Sequence, residues 1–244
     1  MHTISVTISG LEPGLMMNSL KIANFISGSV IPDEIKKKGI KDLRGWYEAE
    51  PESARGWEAE RGSYRMTNGP TKDGKPDGKT ALCIPQDVLW GCFTRACSNF
   101  KVKISGKMRP ASNVFPSILR LKEFEVPLVD KDGKLIFNFN QMVTKFVRIP
   151  PRTGARVMKS WGVIFPWNAN FTFNASGKSS NDVLSIAKEV LVSGGQLQGL
   201  MEGRPGLRHF GYGQFDVTKW EVKDVGDTVL DKVEIGEEEE AASA

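Results

Sequence analysis

Residues 3–9 read Thr-Ile-Ser-Val-Thr-Ile-Ser, which puts Ile4, Val6 and Ile8 on one side of the chain and Thr3, Ser5, Thr7 and Ser9 on the other. Strict alternation of this kind is satisfied by a β-strand with one buried and one wetted face. Every later segment has to cover that apolar side or extend it. A helix covers it with a stripe at 3.6-residue spacing, and a neighbouring strand extends it by repeating the alternation.

Both kinds of segment follow. TALCIP is a short apolar run, and in QDVLWGCFTRACSNF the residues Val88, Leu89, Cys92, Phe93 and Ala96 recur at helical spacing. Residues 117–129 alternate again, and LVDKDGKLIFNF places Asp132 and Gly133 at a turn between strand formers, predicting a β-hairpin. Residues 161–173 read as a core strand bent at Pro166. A second helix starts at a capping box of Ser179 and Asp182, carries Val183, Leu184, Ile186, Ala187, Val190 and Leu191 on its apolar face, and ends at Gly194 and Gly195. Gly211 and Gly213 then introduce a last strand with Phe215 and Val217 and, after a shift of phase, Trp220 and Val222.

The predicted class is therefore α+β, in the order β-α-β-β-α-β, the split ferredoxin-like arrangement shared by RRM domains. Residues 1–223 form a single RRM-like domain with insertions at about 14–80 and 130–160. The first insertion, rich in Gly, Pro and charge, reads as irregular with a mobile loop, and the second as a hairpin thumb in which Pro150 and Pro151 preclude regular sheet. Residues 224–244 have too little apolar content to fold alone and read as a flexible acidic tail.

Charge is segregated along this layout. Eight of the 29 acidic residues and one of the 33 basic ones lie from Asp224 onward, so residues 1–223 carry a net +11. A basic body with an acidic tail suits a polyanionic partner, though it also suits simple solubility. Cys83, Cys92 and Cys97 contain no CxxC pair, and His2 and His209 are the only histidines. The cysteines read as free thiols, and no metal or cofactor is expected. MHTISVTISG lacks the features of a signal peptide, and no apolar run approaches the roughly 20 residues of a membrane span. The expectation is a cytoplasmic protein with no membrane partner.

Four motifs occur in a fixed order: GLEPGLMMNS (10–19), IPQDVLWGCFTRA (84–96), RTGARVMKSWGVIFPW (152–167) and GYGQFDVTKWEV (211–222). Together they resemble the RAMP superfamily, and are similar to the backbone subunits of CRISPR Cascade-like complexes and to their smaller relatives in prophages and mobile elements. The resemblance touches both ends and the middle of the chain and leaves residues 36–79 uncovered. It implies an RRM-like palm, a hairpin thumb and an insertion, with copies polymerising side by side along a guide RNA. The implied partners are that guide RNA, a complementary target nucleic acid, further copies of the chain and other effector-complex subunits. Relatives that cut target RNA use a loop aspartate; Asp33, Asp130 and Asp132 are candidates, but none aligns with it, so cleavage is not carried over.

The candidate RNA contacts are Arg148, Arg152, Arg156, Lys159, Arg204, Arg208, His209, Met16, Asn18, Arg95 and Lys101. In GRPGLRHFGYG the glycines allow close backbone approach to a phosphate, Arg204 and Arg208 supply charged donors, and His209, Phe210 and Tyr212 can stack. The same stretch can also be a plain helix-to-strand connector. Arg148, Arg152, Arg156 and Lys159 suit a thumb lying across a phosphate chain, with Met158 and Trp161 as wedges against bases, or else a solvated face above core residues. Met16 and Asn18 follow a Pro-Gly turn and suit a backbone-contacting loop or a core plug. Arg95, Asn99, Lys101 and Lys103 suit phosphate contact or a solvated helix end, and Trp46, Trp57 and Tyr64 suit base stacking or a satellite core.

No catalytic constellation stands out, so no catalytic residue is assigned. Two rival readings remain: a single-stranded DNA-binding or annealing protein of a phage or mobile element, and a guide-RNA-processing endoribonuclease with His209 as general base.

Overall fold

A computed structural model describes residues 2–18, 31–72, 74–75, 78–104, 106–148, 156–176, 181–208 and 211–224. Strand β1 (His2–Gly10) lies in the middle of the main sheet, as its alternation requires, with Ile4, Val6 and Ile8 all buried. Its neighbours are β10 (Asn168–Ala175) on one side and β11 (Phe215–Asp224) on the other, both antiparallel. Beyond β10 come β6 (Leu119–Leu121) and β7 (Glu125–Val129), and β7 in turn pairs with β3 (Cys83–Pro85). The architecture is mixed α+β with antiparallel sheets.

Helix α4 (Gln86–Ala96) buries Leu89, Cys92, Phe93 and Ala96, and helix α6 (Asn181–Ser193) buries Val183, Leu184, Ala187, Val190 and Leu191. Both stripes join Ile4, Val6 and Ile8 in one apolar cluster, so both helices cover the same face of the sheet. The other face is polar and uncharged along β1 and β10: Thr3, Ser5, Thr7 and Ser9 stand opposite Asn174, Thr172, Asn170 and Asn168. The phase shift in the last strand is a β-bulge, where the register with β1 jumps from Lys219 at Thr7 to Val217 at Ile8.

A second sheet, in the order β2-β9-β8, is formed by β2 (Leu15–Met16), β8 (Gln141–Arg148) and β9 (Arg156–Ile164). A two-stranded ribbon of β4 (Lys101–Ile104) and β5 (Lys107–Pro110) leads into α5 (Ala111–Ile118).

Several sequence expectations are corrected. The first insertion is not irregular, because it holds α1 (Asp33–Lys37), α2 (Leu43–Ala49) and α3 (Pro51–Gly62). These helices build a second cluster from Ile31, Ile35, Leu43, Trp46, Tyr47 and Ala54, onto which Met158 of β9 packs. Trp46 and Trp57 thus form a satellite core, with ring centroids 5.6 Å apart. The alternation over 117–129 is split between the end of α5, β6 and β7, since residues 122–124 leave the sheet.

The Asp130–Gly133 turn is present, with Gly133 at φ 77°, but its second arm forms no strand: it makes an isolated bridge from Leu135 to Val129, and Ile136 N–H donates to Leu128 O (2.9 Å). The segment over 161–173 is two strands in different sheets, broken at the cis peptide before Pro166. Gly194 and Gly195 do not cap α6; the chain continues as a π-turn (Gly194–Gln198), and Gly199 at φ 66° ends it. Gly195 has a packing reason instead, because a Cβ there would lie 2.2 Å from the Phe215 carbonyl oxygen. Ser179, Pro150, Pro151 and the acidic tail from residue 225 lie outside the described residues. Among the described residues no helix is long and apolar enough to cross a membrane.

Candidate nucleic-acid interface

The two glycine-bearing motifs from opposite ends of the chain interlock. Gly213 N–H donates to Gly14 O (2.8 Å), Leu11 N–H to Gln214 O (2.9 Å) and Glu202 N–H to Met16 O (3.2 Å). Within the second motif, Leu200 N–H donates to Gly213 O (2.9 Å) and Tyr212 N–H to Gly203 O (3.2 Å). Gly199, Gly203, Gly211 and Gly213 all have positive φ, as does Met201 at 59°, the one such non-glycine residue among those described. Gly213 has no substitute: at φ 73° its Cβ would lie 2.0 Å from Leu200 O. These amides donate to one another's carbonyls, which fixes the conformation of the loop pair.

Charged side chains surround this junction. Arg204 follows the π-turn, and its Nη1 donates to Met201 O (2.7 Å), which fixes the guanidinium against its own loop. Partial burial and the charge of Arg95, which stands exposed in the last turn of α4, both push the Arg204 pKa down, while Glu202 and Cys92 oppose them. A bound anion would offset both the burial of the Arg204 guanidinium and the charge of Arg95 acting on it.

The second sheet closes the other side. Met16 is buried with Trp161 and Val163 and is flanked by Val143 and Tyr212. The Lys145 ammonium stands 5.5 Å from the Tyr212 ring centroid, a cation-π pair linking β8 to the arginine loop. Asn18 Nδ2 donates to Tyr64 Oη (2.5 Å).

No family model matches the chain, and no curated protein matches it.

The sequence candidates divide by position. Arg204, Arg95, Met16 and Asn18 come to the loop junction, with Met16 as a core plug and Asn18 tied to Tyr64. Lys159 is 5% exposed and its charge acts on the buried Glu58 carboxylate, so it is not a surface cation. Met158 and Trp161 are packed against the second and third apolar clusters rather than free to wedge. Arg148 and Arg156 are the last register pair of the β8–β9 hairpin, and Arg208 is the last residue of α7 (Pro205–Arg208). Arg152 and His209 lie outside the described residues. Lys101 stands apart, exposed on the β4–β5 ribbon.

The aspartates considered for cleavage have other roles or none. Asp130 accepts from the backbone N–H groups of Asp132 and Lys134, both at 2.9 Å, which builds the turn, and Asp33 pairs with Lys36 at 3.0 Å. Among the described residues no cluster of three His, Cys, Asp or Glu side chains offers a metal site.

Sequence reasoning missed Lys145, whose partner across the loop is 67 positions away, and it missed Lys107 and Arg109. The last two had a signal: KVKISGKMRP carries four cations and no acid around a Ser-Gly turn.

Proposed function

We propose that this chain is a non-catalytic RNA-binding backbone subunit of RAMP type, which oligomerises along a CRISPR guide RNA in the cytoplasm and presents it for pairing with a target. The observation that carries the reading is the loop junction. Two glycine loops far apart in sequence lock together beside Arg204 and Arg95, with Lys145 over Tyr212 at their edge. A loop pair of fixed conformation, the Arg204 guanidinium and a cation-backed aromatic ring suit a sugar-phosphate chain with exposed bases and require no sequence readout by the protein.

The ferredoxin-like assignment belongs to the same proposal. Counting β1, β6 with β7, β10 and β11 as the four palm strands, their order across the sheet is 4-1-3-2, with every neighbour antiparallel. Helix α4 precedes the second of these strands and α6 precedes the fourth. That is the order of a split β-α-β arrangement. The open face of β1 and β10 carries hydroxyls and amides rather than the aromatic side chains on which an RRM stacks bases, which directs RNA to the loop junction instead.

The test is purification without nuclease, followed by sequencing of copurifying nucleic acid and measurement of particle mass. Discrete RNAs sharing a common repeat on a multimer are the expected result. Nucleic-acid-free protein that binds single-stranded DNA as well as or better than RNA would replace this reading with the DNA-binding one.

A further inference from the structure

The β4–β5 ribbon takes no part in the loop junction, yet it carries four cations and no acid within ten residues. Lys101, Lys103, Lys107 and Arg109 are all exposed, and none forms an ion pair with another described residue. Cross-strand pairing sets their faces. Lys101 is opposite Pro110 and Lys103 opposite Met108, whereas Arg109 is opposite Val102 and Lys107 opposite Ile104. Paired residues share a face, so Lys101 and Lys103 point to one side and Lys107 and Arg109 to the other.

The ribbon is firmly mounted. Val102 is fully buried in the main apolar cluster, Ile104 packs against that cluster, and Ala111 N–H donates to Phe100 O (3.0 Å) across the ribbon's base. Gly106, at φ 77°, turns at the tip with nothing near its Cβ position. Met108 is 61% exposed, paired across the ribbon with Lys103, an apolar side chain left largely in water.

We propose that this ribbon binds double-stranded DNA by lying in the major groove. The proposal does not depend on the guide-RNA reading. A B-form major groove about 12 Å wide admits a two-stranded ribbon, and the face turned away from the fold presents Lys101, Lys103 and Met108 to it, while the exposed Lys107 and Arg109, on the face that Val102 and Ile104 seat on the core, flank the ribbon towards the phosphates. Alternate residues on one strand stand about 6.8 Å apart, so each face presents two separated charges along the groove. Met108 supplies the apolar contact that a thymine methyl offers in that groove. A-form duplex RNA has too deep and narrow a major groove to admit the ribbon. Single strands are held by aromatic platforms, and KVKISGKMRP contains no aromatic residue.

The experiment uses the full chain and a variant combining Lys103→Ala, Lys107→Ala and Arg109→Ala. Anisotropy titrations over a salt series compare a labelled mixed-sequence DNA duplex, an RNA duplex of the same length and single-stranded RNA. Wild type is expected to prefer the DNA duplex to the RNA duplex. The variant should lose at least tenfold in DNA-duplex affinity and flatten the log–log salt slope by about 2 to 3, with its single-stranded RNA affinity and melting temperature unchanged. A second measurement needs no variant: in wild type, duplex DNA should protect Lys101, Lys103 and Lys107 from acetylation, read by mass spectrometry. The proposal is overturned if wild type does not bind the DNA duplex, binds the RNA duplex equally well, or shows the same lysine acetylation with and without DNA. Retention of wild-type affinity and slope by the variant also overturns it. A wild-type chain that binds the DNA duplex as expected but no single-stranded RNA would count against the guide-RNA reading and leave the ribbon standing.

Discussion

Tyr47 Oη donates to Glu58 Oε2 at 2.5 Å, and Ser160 donates its backbone N–H to the same oxygen at 2.8 Å from across the interface between α3 and β9. The Ser160 hydroxyl lies 2.8 Å from Tyr47 Oη and 2.9 Å from Thr144 Oγ1, so one carboxylate ties α2, α3, β8 and β9 together. Glu58 is completely buried, and its Oε1 has no hydrogen-bond partner among the described residues. The helices of residues 33–62 are therefore joined to the β8–β9 pair by a polar clasp as well as by apolar contact.

That clasp has a pH signature. Burial raises the Glu58 pKa above the ordinary carboxylate range, against the hydrogen bonds from Tyr47 and Ser160 and the charge of Lys159. The folded state then holds this proton more tightly than the unfolded state does. Stability from this group is present at acid pH and declines as pH rises from the ordinary value through the raised one. Thermal melts of wild type and Glu58→Gln across that range should diverge, wild type losing ground to the variant as pH increases. Parallel curves would show that Glu58 titrates alike in both states.

Tyr47→Phe should cost about 1–3 kcal/mol, because it removes a donor to a buried carboxylate without changing the packing of the ring. Chemical denaturation is the measurement. Ser160→Ala should cost less, since it leaves the backbone donor of residue 160 in place.

The three cysteines, Cys83, Cys92 and Cys97, are all buried, and burial pushes each thiol pKa up to about 12. A thiol reagent at neutral pH should leave the native protein essentially unlabelled, and denaturant should expose three reactive thiols per chain. Fast labelling of one thiol in the native protein would reveal local opening around it.

Gly213→Ala should be far more damaging than Gly133→Ala. Both glycines have positive φ, 73° and 77°, so both substitutions carry the strain of a left-handed L-residue, about 1–2 kcal/mol. Gly133 has open space at its Cβ position, whereas Gly213 would place a Cβ 2.0 Å from the Leu200 carbonyl oxygen and distort the loop whose Gly213 N–H bonds Gly14 O. The expected outcome is a larger loss of stability for Gly213→Ala, accompanied by loss of RNA affinity, with Gly133→Ala keeping its affinity.

Arg204→Ala and Arg95→Ala should each weaken RNA binding across all sequences and lower the salt slope by about 1. Arg204→Lys separates charge from geometry, because it keeps the cation and loses the fork that reaches Met201 O. Unchanged affinity and slope in both alanine variants would remove the loop junction as a phosphate site.

Much of the main sheet and its two covering helices was legible because their signals are local. The alternation of Ile4, Val6 and Ile8, the stripe from Leu89 to Ala96, the apolar face of α6 and even the bulge before Trp220 all follow from side-chain period. The helical insertion was not legible, because α3 carries its buried residues Ala54, Glu58 and Ala59 in a largely polar sequence with little apolar stripe. Its helices are stabilised by tertiary contact with β9, which leaves no periodic mark. The break before Pro166 was read as a bend, since residues 161–173 are apolar enough to suit one buried strand or two.

By itself, the sequence determined the class of this protein, the central strand, the two covering helices and a basic body set against an acidic end. Period and charge are properties of neighbouring residues and survive without a fold. Only the tertiary structure decided that Gly14 meets Gly213, that Arg95 stands near Arg204, that Lys145 covers Tyr212 and that Lys159 is drawn inward towards Glu58. Those relationships join residues between 67 and 199 positions apart. They depend on how sheets and loops pack, and no local pattern records that.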